Sequence, residues 1–172
     1  ISDKFLRAGV GFGGACFPKD TKAIVSTAKE NDYDFKIVNS TVEVNEEQKK
    51  TMVTKLKEEV SNLAGKKITV LGLSFKPNTD DMREAPSRTV IKQLLDAGAE
   101  VKAYDPVAME EAKSIFGEQI NYCQDAYQAL EDSEGLLLVT EWDEFQDLDL
   151  ARVKKLMNSN LIIDGRNCYN LD

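Results

Sequence analysis

The chain has 172 residues, 42% hydrophobic and 30% charged, the balance of an ordinary globular protein with one sizeable core and a smaller helical appendage. Its formal net charge of −8 argues against nucleic acid as the main partner, because phosphate-backbone binding needs a basic face. No apolar run approaches the roughly 18 residues that span a membrane, and no segment resembles a signal peptide, so no membrane partner and a cytoplasmic location are expected.

The sequence starts on Ile1, which reads as a piece of something longer. Gly9, Gly11, Gly13 and Gly14 make the first fifteen residues a shaped loop rather than a regular element. Asp20 or Thr21 then reads as the cap of a helix whose Ala23, Ile24 and Ala28 share a face, ended by Asn31-Asp32. A second, long helix is predicted over 37–63, with Val38, Val42, Val53, Leu56 and Val60 near helical spacing. Such a one-striped helix needs a partner, either within the chain or across a dimer.

Ala64-Gly65-Lys66 breaks that pattern, and a boundary there divides 1–65 from 66–172. Beyond it, strands predicted over 68–73, 101–104, 135–140 and 161–164 alternate with helices over 86–96, 108–116, 125–130 and 150–157. Pro86 suits a first helical position and Gly98 a C-terminal cap. The alternation predicts an α/β fold, a Rossmann-like doubly wound parallel sheet preceded by a helical segment.

Cys16, Cys123 and Cys168 are odd in number and widely spaced, and the chain has no His. No metal site or disulfide framework is expected, and chemistry must use Cys, Lys, Asp, Glu or water. In Gly11-Phe12-Gly13-Gly14-Ala15-Cys16-Phe17-Pro18-Lys19-Asp20 the thiol lies beside a lysine and a helix start, both of which favour thiolate. Cys16 is therefore either a nucleophile or an inert filler, and Asp20 either orients a water or caps the helix.

A second constellation follows the first predicted strand, Gly72-Leu73-Ser74-Phe75-Lys76-Pro77-Asn78-Thr79-Asp80-Asp81-Met82-Arg83-Glu84. A dinucleotide fold would show GxGxxG here, and only Gly72 is present, so this domain is not expected to hold NAD in that manner. Lys76 and Arg83 offer side-chain charge instead, as phosphate ligands or as solvated surface. Asp105 reads as a turn-forming Asp-Pro rather than a ribose-binding acid. Trp142, Cys123 and Cys168 are assigned to packing.

The GFGGACFPKD string resembles the active-site signature of the UDP-glucose/GDP-mannose dehydrogenases, and the FK…DD…RE turn is similar to one in the family's C-terminal domain. The resemblance implies an NAD-dependent, two-step oxidation of a sugar-nucleotide alcohol to the carboxylate. It implies Cys16 as nucleophile for the aldehyde and Asp20 as its helper in hydrolysis. Phe5, Leu6, Arg7, Gly9, Gly13, Phe75, Lys76 and Arg166 then fall to the UDP-sugar substrate, and Lys19 and Arg83 to NAD held mainly by a domain outside this chain. Phe17 after the cysteine tips the substrate toward UDP-glucose. The family's central helix implies a homodimer; the alternatives are a nucleotide-sugar-binding and dimerising module without activity, or a GDP-mannose or other nucleotide-sugar 6-dehydrogenase.

Overall fold

In the computed structural model, residues 6–170 are described. Five parallel strands form the centre: β1 (Lys67–Leu71), β2 (Glu100–Tyr104), β3 (Asn121–Tyr122), β4 (Gly135–Leu138) and β5 (Ile162–Asp164). Their order is β3-β2-β1-β4-β5, with Ile68 opposite both Val101 and Gly135. The chain therefore builds outward on one side of β1, then crosses to β4 and builds outward on the other. Such a reversal leaves a crevice at the carboxyl ends of β1 and β4, where open α/β sheets bind ligands.

Alternation along the strands separates two cores. Ile68, Val70, Val101 and Leu137 face one side, packed with Val90, Ile91 and Leu94 of α4 (Pro86–Asp96) and Ala112 of α5 (Met109–Phe116). Leu71, Leu136 and Leu138 face the other. They pack with Leu130 of α6 (Ala126–Leu130), Phe145 of α7 (Asp143–Gln146) and Val153 of α8 (Leu150–Leu156). Coverage of both faces is why β4 is buried throughout and reads as an unbroken apolar run. Pro86 opens α4 at its first position, and Gly98, with φ 76°, follows its end. Asp125 and Asp149 cap α6 and α8 through side-chain oxygens.

The N-terminal part departs from expectation in two places. α1 (Cys16–Glu30) begins four residues before Asp20, so neither Asp20 nor Thr21 is its cap. Pro18 falls within the first turn, where a missing N–H costs nothing because those amides have no intrahelical partner. The predicted helix over 37–63 is two helices, α2 (Lys36–Gln48) and α3 (Thr51–Glu59), parted at Lys49-Lys50. Thr51 Oγ1 takes the Gln48 carbonyl at 2.7 Å and Thr54 Oγ1 the Lys50 carbonyl at 3.2 Å, the side-chain competition that bends helices. The break lets α3 turn Met52, Val53 and Leu56 into the sheet's core, and Val60, in extended conformation, ends it before Leu63. β1 and β4 stop two residues short of prediction; Gly72, at φ 89°, turns the chain after β1. The two-residue β3 and four-residue α7 are too short to leave a periodic signal. Among the described residues no helix is long and apolar enough to cross a membrane.

Candidate active site

The glycine loop is threaded between walls that leave no room for side chains. A Cβ on Gly13 would lie 2.5 Å from the Glu84 carbonyl oxygen and 2.9 Å from Ala85 Cα; on Gly14 it would lie 2.9 Å from the Phe75 ring. At Gly9 it would collide with the Arg166 guanidinium. Hydrogen bonds fix the path: Gly14 N–H donates to the Arg83 carbonyl at 2.7 Å. Phe12 N–H donates to Asn45 Oδ1 at 2.7 Å, Asn45 Nδ2 to the Phe12 carbonyl at 3.2 Å, and Gln48 Nε2 to the Gly9 carbonyl at 2.9 Å.

That path delivers Cys16 to the first position of α1, exposed, where free backbone amides and the helix dipole favour an anion. Arg83 stands within electrostatic reach of the thiol, and its guanidinium is clipped by two bonds to Asp81, at 3.0 and 2.7 Å. That clip holds the Asp81 carboxyl below the usual carboxylate range, the hydrogen bond from Arg83 being the main cause. Asp20, one turn further along α1, lies 3.4 Å from Lys19 Nζ, with both side chains exposed. Beneath them, Glu84 receives Lys22 at 3.2 Å and the buried Lys49 at 3.9 Å, and Lys49 also pairs with Glu46 at 2.7 Å.

A cleft of about 980 Å³ opens between the glycine loop, α2 and the carboxyl ends of the strands; Cys16 does not border it, but the next residue, Phe17, does. It is bordered by Arg7, Gly9, Gly13, Phe75, Lys76 and Arg166, which the sequence grouped as one binding set, and by Phe12 and Phe17. Lys76 Nζ lies 5.2 Å from the centre of the Phe75 ring. Arg166 Nη2 donates to Glu141 Oε1 at 2.6 Å, while its buried Nε has no hydrogen-bond partner among the described residues. Leu6 is exposed and does not border the cleft. Phe5 lies outside the described residues. Asn45, Lys49, Glu84 and Glu141 were not anticipated: in sequence they are ordinary helix and loop polar residues, and only the fold brings them to the loop and to Arg166.

The sheet's own crevice does not suit a dinucleotide. Asp105, at the end of β2, is fully buried. Its Oδ1 accepts from the Val107 and Ala108 amides, and Oδ2 from the Leu73 and Ser74 amides, Ser74 Oγ and Trp142 Nε1. A carboxylate with that many protein donors has no capacity left for a ribose. The turn after β1 is filled by side-chain contacts, with Ser87 Oγ donating to the Leu73 carbonyl and Thr140 Oγ1 to the Ser74 carbonyl. Among the described residues no group of acids and cysteines is placed to hold a metal.

Residues 69–171 match the UDP binding domain model of the UDP-glucose/GDP-mannose dehydrogenase family, and residues 1–47 match its central domain model. The chain is 48% identical over its whole length to UDP-glucose 6-dehydrogenase TuaD of Bacillus subtilis, covering 37% of that protein. It is 46% identical to UDP-glucose 6-dehydrogenase of Rhizobium meliloti, covering 39% of it. A UDP-glucose dehydrogenase structure from Pyrobaculum islandicum superposes on 95% of the chain with a TM-score of 0.88 at 36% identity, using 36% of that chain. A GDP-mannose dehydrogenase structure from Pseudomonas aeruginosa gives 0.79 at 25% identity over 97% of this chain and 39% of that one. The chain thus spans less than half the length of these relatives. With its glycine loop, its parallel sheet and its cleft accounted for by both domain models, it belongs to the UDP-glucose/GDP-mannose dehydrogenase family.

Proposed function

We propose that this chain is the sugar-nucleotide-binding and covalent-catalysis part of an NAD-dependent UDP-glucose 6-dehydrogenase. The observation that carries the proposal is a single cleft bordered by Arg7, Lys76 and Arg166 within a chain of net charge −8, with an exposed thiol on a helix N-terminus one residue before its Phe17 wall. Guanidinium and ammonium groups suit a diphosphate. The Phe75 ring, which borders the cleft, offers a face to a base, and Phe5 keeps that role only as the family resemblance implies it. Gly9 and Gly13, which border the cleft, are placed to meet the sugar through their backbone. UDP-glucose is favoured among nucleotide sugars because relatives 46 and 48% identical carry that name.

In the proposed reaction the six-position alcohol first loses a carbon-bound hydrogen as hydride and its hydroxyl proton to become the aldehyde; Cys16 Sγ then adds to that carbon, and the thiol proton passes to the oxygen. Loss of the carbon-bound hydrogen as hydride and of the hydroxyl proton leaves a thioester on Cys16. Water, oriented by Asp20, adds to the thioester carbon and releases the carboxylate and the free thiol. NAD supplies the hydride acceptor, and its principal site belongs to sequence outside this chain. Lys19 and Arg83, exposed cations flanking Cys16, are the residues here that fit its approach.

A division at residue 65 sets the part that presents Cys16 apart from the α/β part, and the proposed UDP-sugar cleft draws on both, with Arg7 and Gly9 from the first and Phe75, Lys76 and Arg166 from the second. The apolar side chains left exposed on α1 and α2, Ile24 at 49% and Ile37 at 79%, support a homodimer through the central helices. A single sedimenting species at monomer mass would remove that element.

Calorimetric titration of this chain with UDP-glucose tests the binding proposal. One site per chain is expected, and Arg166→Ala or Lys76→Ala should weaken it by about tenfold or more, the worth of a charge-assisted contact. No heat of binding with the parent chain would sink the assignment of the cleft.

A further inference from the structure

Asn45 lies in the last turn of α2 and is 7% exposed. Its amide is committed to the backbone of one residue: Oδ1 accepts the Phe12 N–H and Nδ2 donates to the Phe12 carbonyl. A planar group with one acceptor and one donor thus pairs with the loop as a neighbouring strand would. Gly11, at φ 97°, makes room for it; a Cβ there would lie 2.9 Å from the same Oδ1 and 3.2 Å from Lys49 Cγ. Gln48, three residues on, holds the Gly9 carbonyl. The end of α2 therefore fixes one side of the loop by three hydrogen bonds at two residues, Gly9 and Phe12, while the Arg83 carbonyl fixes Gly14. Cys16 follows two residues later.

We infer that Asn45 is a positioning residue for the reaction proposed above: it sets the path of residues 11–14, and through them the cleft wall and the position of the Cys16 thiol. The inference rests on that functional reading. Alanine supplies neither hydrogen bond and leaves the half-buried Phe12 amide and carbonyl without protein partners. Aspartate is nearly isosteric and keeps the acceptor, but turns a second carboxylate oxygen toward the Phe12 carbonyl. A displacement of about 1 Å at a reacting group costs on the order of a hundredfold in rate.

The test compares Asn45→Ala and Asn45→Asp with the parent by amide hydrogen exchange in this chain and by steady-state kinetics in the full-length protein. In Asn45→Ala the Phe12 and Gly14 amides should exchange about tenfold faster or more, with the β1 amides of Val70 and Leu71 unchanged. The KM for UDP-glucose should rise about tenfold and kcat should fall, with the KM for NAD unchanged. Asn45→Asp should fall between parent and alanine. A merely structural residue would accelerate exchange throughout the sheet, or lower the amount of active enzyme without moving either KM; either result overturns the proposal, as does parental exchange at Phe12. If the full-length parent fails to oxidise UDP-glucose, the functional reading falls, and with it the catalytic role of Asn45. The exchange arm then decides separately whether Asn45 holds the loop.

Discussion

The Asp105 carboxylate ties the turn after β1, the turn after β2 and the indole of Trp142 into one buried polar knot. Asp105→Ala strands these buried donors together, and a loss of about 3–5 kcal/mol is expected in urea unfolding; a loss below about 1 kcal/mol would mean that the donors find other partners. Sequence alone identified this residue as a turn former. That describes Oδ1, whose donors are two and three residues away, but Oδ2 is filled from residues more than thirty positions distant. The cysteines divide in the same way. Cys16 is exposed and Cys123 is buried, and burial pushes up the thiols of Cys123 and Cys168, the latter to about 11. Iodoacetamide at neutral pH should therefore label Cys16 first by peptide mass mapping, because the thiolate is the reactive form. Equal labelling of Cys168 would contradict the placement.

At the scale of elements, the α/β half was legible because its signals are local: Pro86 at a helix start, Gly98 past a helix end, and apolar runs of strand length. The break at Lys49-Lys50 was not legible. The apolar spacing continues across it; the Thr51 and Thr54 hydroxyls take carbonyls at the break, and Lys49 is buried there against the glycine loop and the Glu46 carboxylate, a contact that only the fold assembles. The turn after β5 gives a pH prediction. Asp164 Oδ2 accepts the Cys168 and Tyr169 amides, and burial there raises both side chains, Cys168 to about 11 from 9.0. Because the folded form holds these protons more tightly, the associated stability is complete below pH 9 and is lost as pH rises toward 11. The thermal midpoint should fall across that window, and Cys168→Ser should flatten the part of the fall due to the thiol. An equally steep fall in the variant would place the titration elsewhere.

Across the whole molecule, the two cores are closed while the α1 and α2 surface is not: α1 buries only Pro18, and α2 only Asn45. In sequence the stripe of Ala23, Ile24 and Ala28 promised a packed face; in the structure Ala23 and Ile24 are exposed. The exposed face is the observation behind the proposed homodimer, and the crevice unsuited to a dinucleotide is the one behind the proposal that NAD is held mainly elsewhere. The proposed reaction turns on Cys16, and the yield of NADH per UDP-glucose in the full-length protein, with and without its thiol, tests it most directly. Two NADH per UDP-glucose are expected from the parent, and loss of sustained turnover from Cys16→Ser. Unchanged turnover and stoichiometry in the serine variant would contradict the account.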